Sequence, residues 1–153
     1  MDIMSLSPVR LFVLSGANTN LYGLDPTGPY GRLTLEDIAQ DCRARAQALD
    51  ATVDFRQSNH EGVLVDWIQE ARTKADGIVI NAGSLSYSSI ALLDALAAVA
   101  KPAIQVHVSN VFQREKFRHH APLAAAVMGC IIGLGPGGYG VAVEALIAHI
   151  RRK

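Results

Sequence analysis

At 153 residues the chain has the length of one ordinary domain, enough to bury a core without disulfide or metal staples, and a second domain is not expected. Fourteen Lys plus Arg balance fourteen Asp plus Glu, which excludes a global basic field for nucleic acid or anionic membrane and leaves a small molecule as the expected partner. No segment reaches the roughly 18 apolar residues of a membrane span, and the first ten residues carry only scattered apolar side chains, so a cytoplasmic setting is expected.

Residues 1–8 are expected to be a flexible tail on this single domain. "VRLFVL" (9–14) reads as a buried strand, and the loop after it, "GANTNLYGLDPTGPYG" (16–31), gathers two Asn, two Tyr, four Gly and two Pro. Behind Thr34 as N-cap, Leu35, Ile38, Ala39, Cys42, Ala46 and Leu49 keep helical spacing. "ATVDFRQ" (51–57) alternates like a strand, and Ser58 with Glu61 reads as a capping box for a helix burying Leu64, Trp67, Ile68 and Ala71. "GIVIN" (77–81) is a third strand, and residues 88–100 a Leu- and Ala-rich helix closed by Pro102. "AIQVH" (103–107) and "GCIIG" (129–133) complete five strands before a terminal helix with cations in its last turn. Cys42 and Cys130 read as small core hydrophobes in a reducing compartment. Five alternating units predict an α/β fold with a parallel sheet covered on both faces.

In such a sheet the ligand site lies at the carboxyl ends of the strands. There the sequence places Asn18; Ser58, Asn59 and His60; Asn81; His107, Ser109 and Asn110; then Arg114 and Arg118. Singly, each has a plainer reading. Asn18, Asn59 and Asn81 fit turns and caps, His107 fits a satisfied core position, and Arg114, Arg118, His119 and His120 fit a solvated helix face. Their agreement across the loops favours a site for an oxygen-rich ligand. "GLGPGGYG" (133–140) lacks the lysine of a phosphate loop, the five histidines show no H-E-x-x-H spacing, and no lysine is expected to be buried as a Schiff-base nucleophile. Acid–base chemistry with no cofactor and no metal is what remains.

The motifs "SGANTN…PYG…TL", "QSNHEG", "LVDWI", "INAGSLSYSSIALLDAL", "QVHVSNVFQREKFRHH" and "GLGPGGYG" together resemble the type II 3-dehydroquinate dehydratases, lyases of the shikimate and quinate pathways. The resemblance runs from Val9 to the terminal helix. It implies a flavodoxin-like fold, a homododecamer built as a tetramer of trimers, and anti elimination of water from 3-dehydroquinate through an enolate. By position it makes Tyr30 the base at C2, Asn18 the holder of a water on the enolate oxygen, and His107, held by Asn81, the acid at the C1 hydroxyl. Val108 and Ser109 would take the substrate carboxylate, Arg118 a ring hydroxyl, and Tyr87 and Asp94 would complete the site, Asp94 from a neighbouring subunit.

Four positions depart from the family pattern. Its loop arginine falls on Asp25, a histidine on Tyr87, a glutamate on Gln105 and a further arginine on Leu93. A phenolate base calls for a neighbouring cation, and an aspartate there opposes it. Two compensations are open: Arg32, two residues beyond Tyr30, as the replacement cation, or a lid that closes differently because "DPTGPYG" has its prolines displaced from the family's usual place. Two other readings stand beside the dehydratase: a divergent enzyme for another cyclic carboxylic acid, and a non-catalytic binder of small acids.

Overall fold

The alternation of short β-branched runs with Ala- and Leu-rich segments builds the five expected strands: β1 (Val9–Ser15), β2 (Ala51–Gln57), β3 (Gly77–Asn81), β4 (Ala103–His107) and β5 (Gly129–Ile132). The computed structural model describes residues 7–153, so most of the expected tail, residues 1–6, lies outside the described residues. All pairings are parallel, in the order β2-β1-β3-β4-β5, which is the flavodoxin-like doubly wound arrangement.

Helices cover both faces. On one, Leu11, Val13, Val79 and Val106 pack against α1 (Leu35–Ala48) and α5 (Gly138–Arg151). On the other, Phe12, Leu14, Ile78 and Ile80 pack against α2 (Glu61–Lys74) and, after the one-turn α3 (Leu85–Ser88), α4 (Ile90–Val99). Double coverage is why the central strands read as continuous apolar runs rather than alternating ones. No helix among the described residues is long and apolar enough to cross a membrane.

Thr34 caps α1 as expected, in a reciprocal box with Asp37: its hydroxyl accepts from the Asp37 N–H and the Asp37 carboxylate accepts from the Thr34 N–H. The box expected at Ser58 and Glu61 does not form. The Ser58 N–H continues the ladder by donating to Ser15 C=O at 3.0 Å, so the helix starts only at Glu61 with His60 as its cap residue. Ser58 Oγ instead accepts from the His60 N–H, and the Glu61 carboxylate takes the hydroxyl of Ser89, the N-cap of α4. Cys42 is fully buried, and burial pushes its thiol up to about 12. Cys130 departs from expectation: it is exposed, because β5 is a short edge strand whose outer side nothing among the described residues covers.

Strand order reverses between β1 and β3, whose ends Ser15 and Asn81 are paired. The two departing loops touch there. The Gly16 N–H donates to Asn81 C=O at 2.7 Å, and a Cβ on Gly83, held at φ +61°, would sit 2.6 Å from the Ala17 carbonyl oxygen. Only glycine fits both the space and the left-handed backbone. Gly83→Ala is therefore expected to lower the unfolding free energy by about 2 kcal/mol, from left-handed strain and displacement of Ala17. Urea unfolding measures it, and a change within error of zero would show that the crossing relaxes freely.

Candidate active site

At this crossing the loops after β1, β3 and β4 enclose a cleft of about 140 Å³. Asn18, Tyr22 and Tyr30 enter from the first loop, Asn81, Ser84 and Tyr87 from the second, and His107, Val108, Ser109, Arg114 and Arg118 from the third. Of the residues predicted for the site, Asn18, Tyr30, Asn81, Tyr87, His107, Val108, Ser109 and Arg118 thus converge. The loops after β2 and β5 do not line it. Asn59 instead accepts the Asn18 N–H at 2.9 Å, holding Asn18 at φ 67°, while Asn110 caps the turn that follows it. Ser58 and His60 remain with the start of α2.

The floor of the cleft is a buried polar network. Asn81 Oδ1 accepts the Gly83 N–H at 3.1 Å, which orients the carboxamide so that Nδ2 donates to two phenols, Tyr22 at 2.9 Å and Tyr139 at 2.8 Å. Tyr139, in the first turn of α5, shares a 2.8 Å hydroxyl–hydroxyl bond with Ser15. Burial raises Tyr22 to about 12 and Tyr139 well above the usual phenol value, so both stay neutral. The carboxamide expected to hold His107 is thus engaged by two tyrosines. The His107 ring stacks on Tyr87 instead, with centroids 5.9 Å apart and planes at 29°. Neither Tyr22 nor Tyr139 was expected at the site. Their signal was a phenol beside glycine in the segment after a strand, a residue with an apolar body and one polar atom to satisfy.

Tyr30 stacks on Tyr22, centroids 4.7 Å apart at 29°. Its hydroxyl lies 3.2 Å from Arg114 Nη1, which also reaches Ser109 Oγ at 3.3 Å. Arg114 is therefore not on a solvated helix face: residues 111–119 form two short 3-10 turns, Val111–Gln113 and Lys116–His119, and Arg114 turns inward between them. The expected cation, Arg32, is exposed and outside the cleft lining. Asp25 is also outside it. Its carboxylate takes the Thr27 hydroxyl at 2.7 Å and the Thr27 N–H at 3.0 Å, contacts that hold it below the usual carboxylate range. It therefore opposes nothing in the cleft.

Arg118 pairs with Glu115 at 2.7 Å and lies 5.8 Å from the Tyr87 ring centre. Burial raises the Tyr87 phenol, with Arg118 opposing the shift. Gln105, two residues before His107 and so on the same face of β4, lies beneath the cleft rather than in it. It is fully buried, its Nε2 has no partner, and its Oε1 faces the Cys130 thiol at 3.6 Å. Asp94 is exposed on α4, away from the cleft of its own chain. Among the described residues no three of His, Cys, Asp and Glu converge as metal ligands. The assembled groups are a phenol against a guanidinium, an imidazole across the cleft, a second guanidinium, and hydroxyl and amide donors. They suit proton transfer on a small, oxygen-rich anion.

Residues 9–147 match the sequence model of the family described as "Dehydroquinase class II". The chain is 51% identical over 141 residues to the 3-dehydroquinate dehydratase of Chelativorans sp. strain BNC1, covering 92% of this chain and 97% of that one. It is 49% identical over 136 residues to the 3-dehydroquinate dehydratase of Rhizobium johnstonii, covering 89% and 94%. The crystal structure of type II dehydroquinase from Butyrivibrio crossotus superposes with a TM-score of 0.89 at 38% identity, over 92% of this chain and 99% of that chain.

Burial alone lowers the His107 pKa below its ordinary 6.5. The unfolded chain then binds this proton at a higher pH than the folded one, so the stability associated with neutral His107 is complete above the unfolded value and is lost as pH falls toward the folded one. His107→Asn is expected to lose less unfolding free energy than the parent between about pH 7 and about pH 5. Urea unfolding at both values reads this out, and equal losses would show that His107 is not held neutral by the fold.

Proposed function

The chain belongs to the class II dehydroquinase family, and on that basis we propose that it is a lyase converting 3-dehydroquinate to 3-dehydroshikimate by anti elimination of water through an enolate. The observation that carries the reading is the contact of Arg114 with the Tyr30 hydroxyl, in the same cleft as His107. Arg114 is the cation that meets the Tyr30 hydroxyl, at 3.2 Å, and so stands where the family's loop arginine stands elsewhere.

In this reading the Tyr30 phenolate takes the C2 proton, and the electron pair left behind passes to the C3 oxygen as an enolate. Asn18, held by Asn59, fixes a water against that oxygen. The C1–O bond then breaks as His107 protonates the departing hydroxyl, and water leaves. Burial keeps His107 neutral in the free cleft. The substrate carboxylate and the enolate bring negative charge beside the ring, which offsets burial and favours imidazolium when the acid is needed. Ser109 and the backbone at Val108 receive the carboxylate, Arg118 a ring hydroxyl, and Asn81 holds the floor.

The reading includes a cytoplasmic homododecamer, a tetramer of trimers, in which Asp94 meets the cleft of a neighbouring chain; its exposure on α4 leaves it open to that contact. A second reading, a related cyclic carboxylic acid as substrate, is favoured by one observation: an aromatic wall of Tyr87 on His107 where the family carries a histidine.

Turnover is followed by ultraviolet absorbance of the conjugated enone product. Tyr30→Phe and Arg114→Gln are each expected to lower kcat about a hundredfold or more, the usual scale for losing a positioned base. Arg32→Ala and Asp25→Ala are expected to stay within about twofold of the parent, as exposed groups away from the reacting atoms do. Parent-like turnover by Arg114→Gln would sink the assignment of the cation. A parent chain silent toward 3-dehydroquinate would turn the search to other cyclic acids.

A further inference from the structure

Between Gly23 and Thr34 the first loop makes little contact with the body. Gly23, Gly28, Tyr30 and Gly31 are half-buried and the rest of this stretch is exposed, Leu24 at 75% and Leu33 at 49%. The Asp25 carboxylate is spent on Thr27 within the same loop. Gly23 at φ +85° and Gly31 at φ +76° bracket a segment that has no apolar side chain of its own in either core cluster except Tyr30, packed at the margin of one of them. A phenol carried on such a segment needs an external surface to fix its direction.

Tyr22 is that surface. It is 7% exposed, and its hydroxyl accepts from Asn81 Nδ2, whose own direction is set by the Gly83 N–H. Its backbone N–H donates to Thr19 C=O at 3.1 Å, so the residue is tied to the body at both ends. The ring held in this way presents its face to Tyr30 at 4.7 Å and 29°. The Arg114 guanidinium lies 5.9 Å from the centre of the Tyr30 ring and bonds its hydroxyl, so the Tyr30 phenol has one aromatic neighbour and one cation to define it.

We propose that Tyr22 is a positioning residue for Tyr30: its ring, pinned through the hydroxyl to the Asn81 carboxamide at the end of β3, is the platform that aims the Tyr30 phenol at Arg114 and the reacting carbon. The inference rests on Tyr30 as the base. Tyr22 exchanges no proton in this role. What the role requires is a flat ring at position 22; burial in the core cluster keeps that ring in place, and the hydroxyl adds one contact to a position the packing already sets.

The test uses the full chain with Tyr22→Phe, which keeps the platform, and Tyr22→Leu, which fills much of the same space without a flat face; Tyr22→Met replaces the latter if leucine does not fold. Two readouts are taken. With 3-dehydroquinate, Tyr22→Leu is expected to lose kcat by about tenfold to a hundredfold with KM changed by less than about threefold, the signature of a misaimed reacting group, while Tyr22→Phe returns kcat to within about threefold of the parent. Under native conditions, trypsin is expected to cut after exposed Arg32 several times faster in Tyr22→Leu than in the parent, and at the parent rate in Tyr22→Phe. Parent-like kcat and cleavage in Tyr22→Leu would overturn the proposal, as would a phenylalanine variant as impaired as the leucine one. If the parent does not turn over 3-dehydroquinate, the dehydratase reading fails by itself, and the cleavage rates still decide whether Tyr22 holds the loop.

Discussion

One carboxamide organises the site. Asn81 stands where the strand order reverses, its backbone closes the gap to β1 through Gly16, and its side chain divides three polar contacts among Gly83, Tyr22 and Tyr139. In a buried place each of those groups is costly to leave unpaired, on the order of 1–3 kcal/mol, so the arrangement is tightly specified. A single side chain thus ties β1, β3, the start of α5 and the first loop into one register. The groups proposed to react lie within its reach: Tyr30 stacks on the Tyr22 ring, and His107 ends β4, which pairs with β3.

Charge is arranged on a different set of elements. The cations of the cleft, Arg114 and Arg118, both come from the segment of 3-10 turns after β4, whereas the acid of the first loop, Asp25, stays charged but is bonded within its own turn and faces solvent. A position that looks damaging when matched residue by residue to the family pattern is therefore harmless once its side chain has a local partner. Electrostatic support for a phenolate depends on distance and direction rather than on which loop supplies the charge.

The strand and helix order was legible because apolar runs of the right length have few alternatives in a doubly covered sheet. So was part of the cleft, since Asn81 and His107 end their strands and Asn18 lies three residues beyond one. What escaped was decided by competition among local hydrogen bonds. Ser58 had two uses, cap and ladder, and the ladder took its backbone. Arg114 was placed at the ligand edge with a solvated helix face as its plainer reading, and the tight turns of residues 111–119 decide for the cleft because they keep no one solvated face. Tyr22 and Tyr139 were passed over because the worth of a phenol lies in its partner, and nothing in a linear sequence shows that one amide reaches both. Cys130 was taken for core because a four-residue apolar strand does not announce that it lies at the sheet's edge.

Tyr30 and Arg114 hang from separate pieces of the chain, one on the long first loop and the other on the compact turns beyond β4. Any lifting of the first loop parts the phenol from its guanidinium. The pairing is therefore a tertiary contact, present without a ligand, and it lasts only as long as the two pieces of chain keep their places against each other.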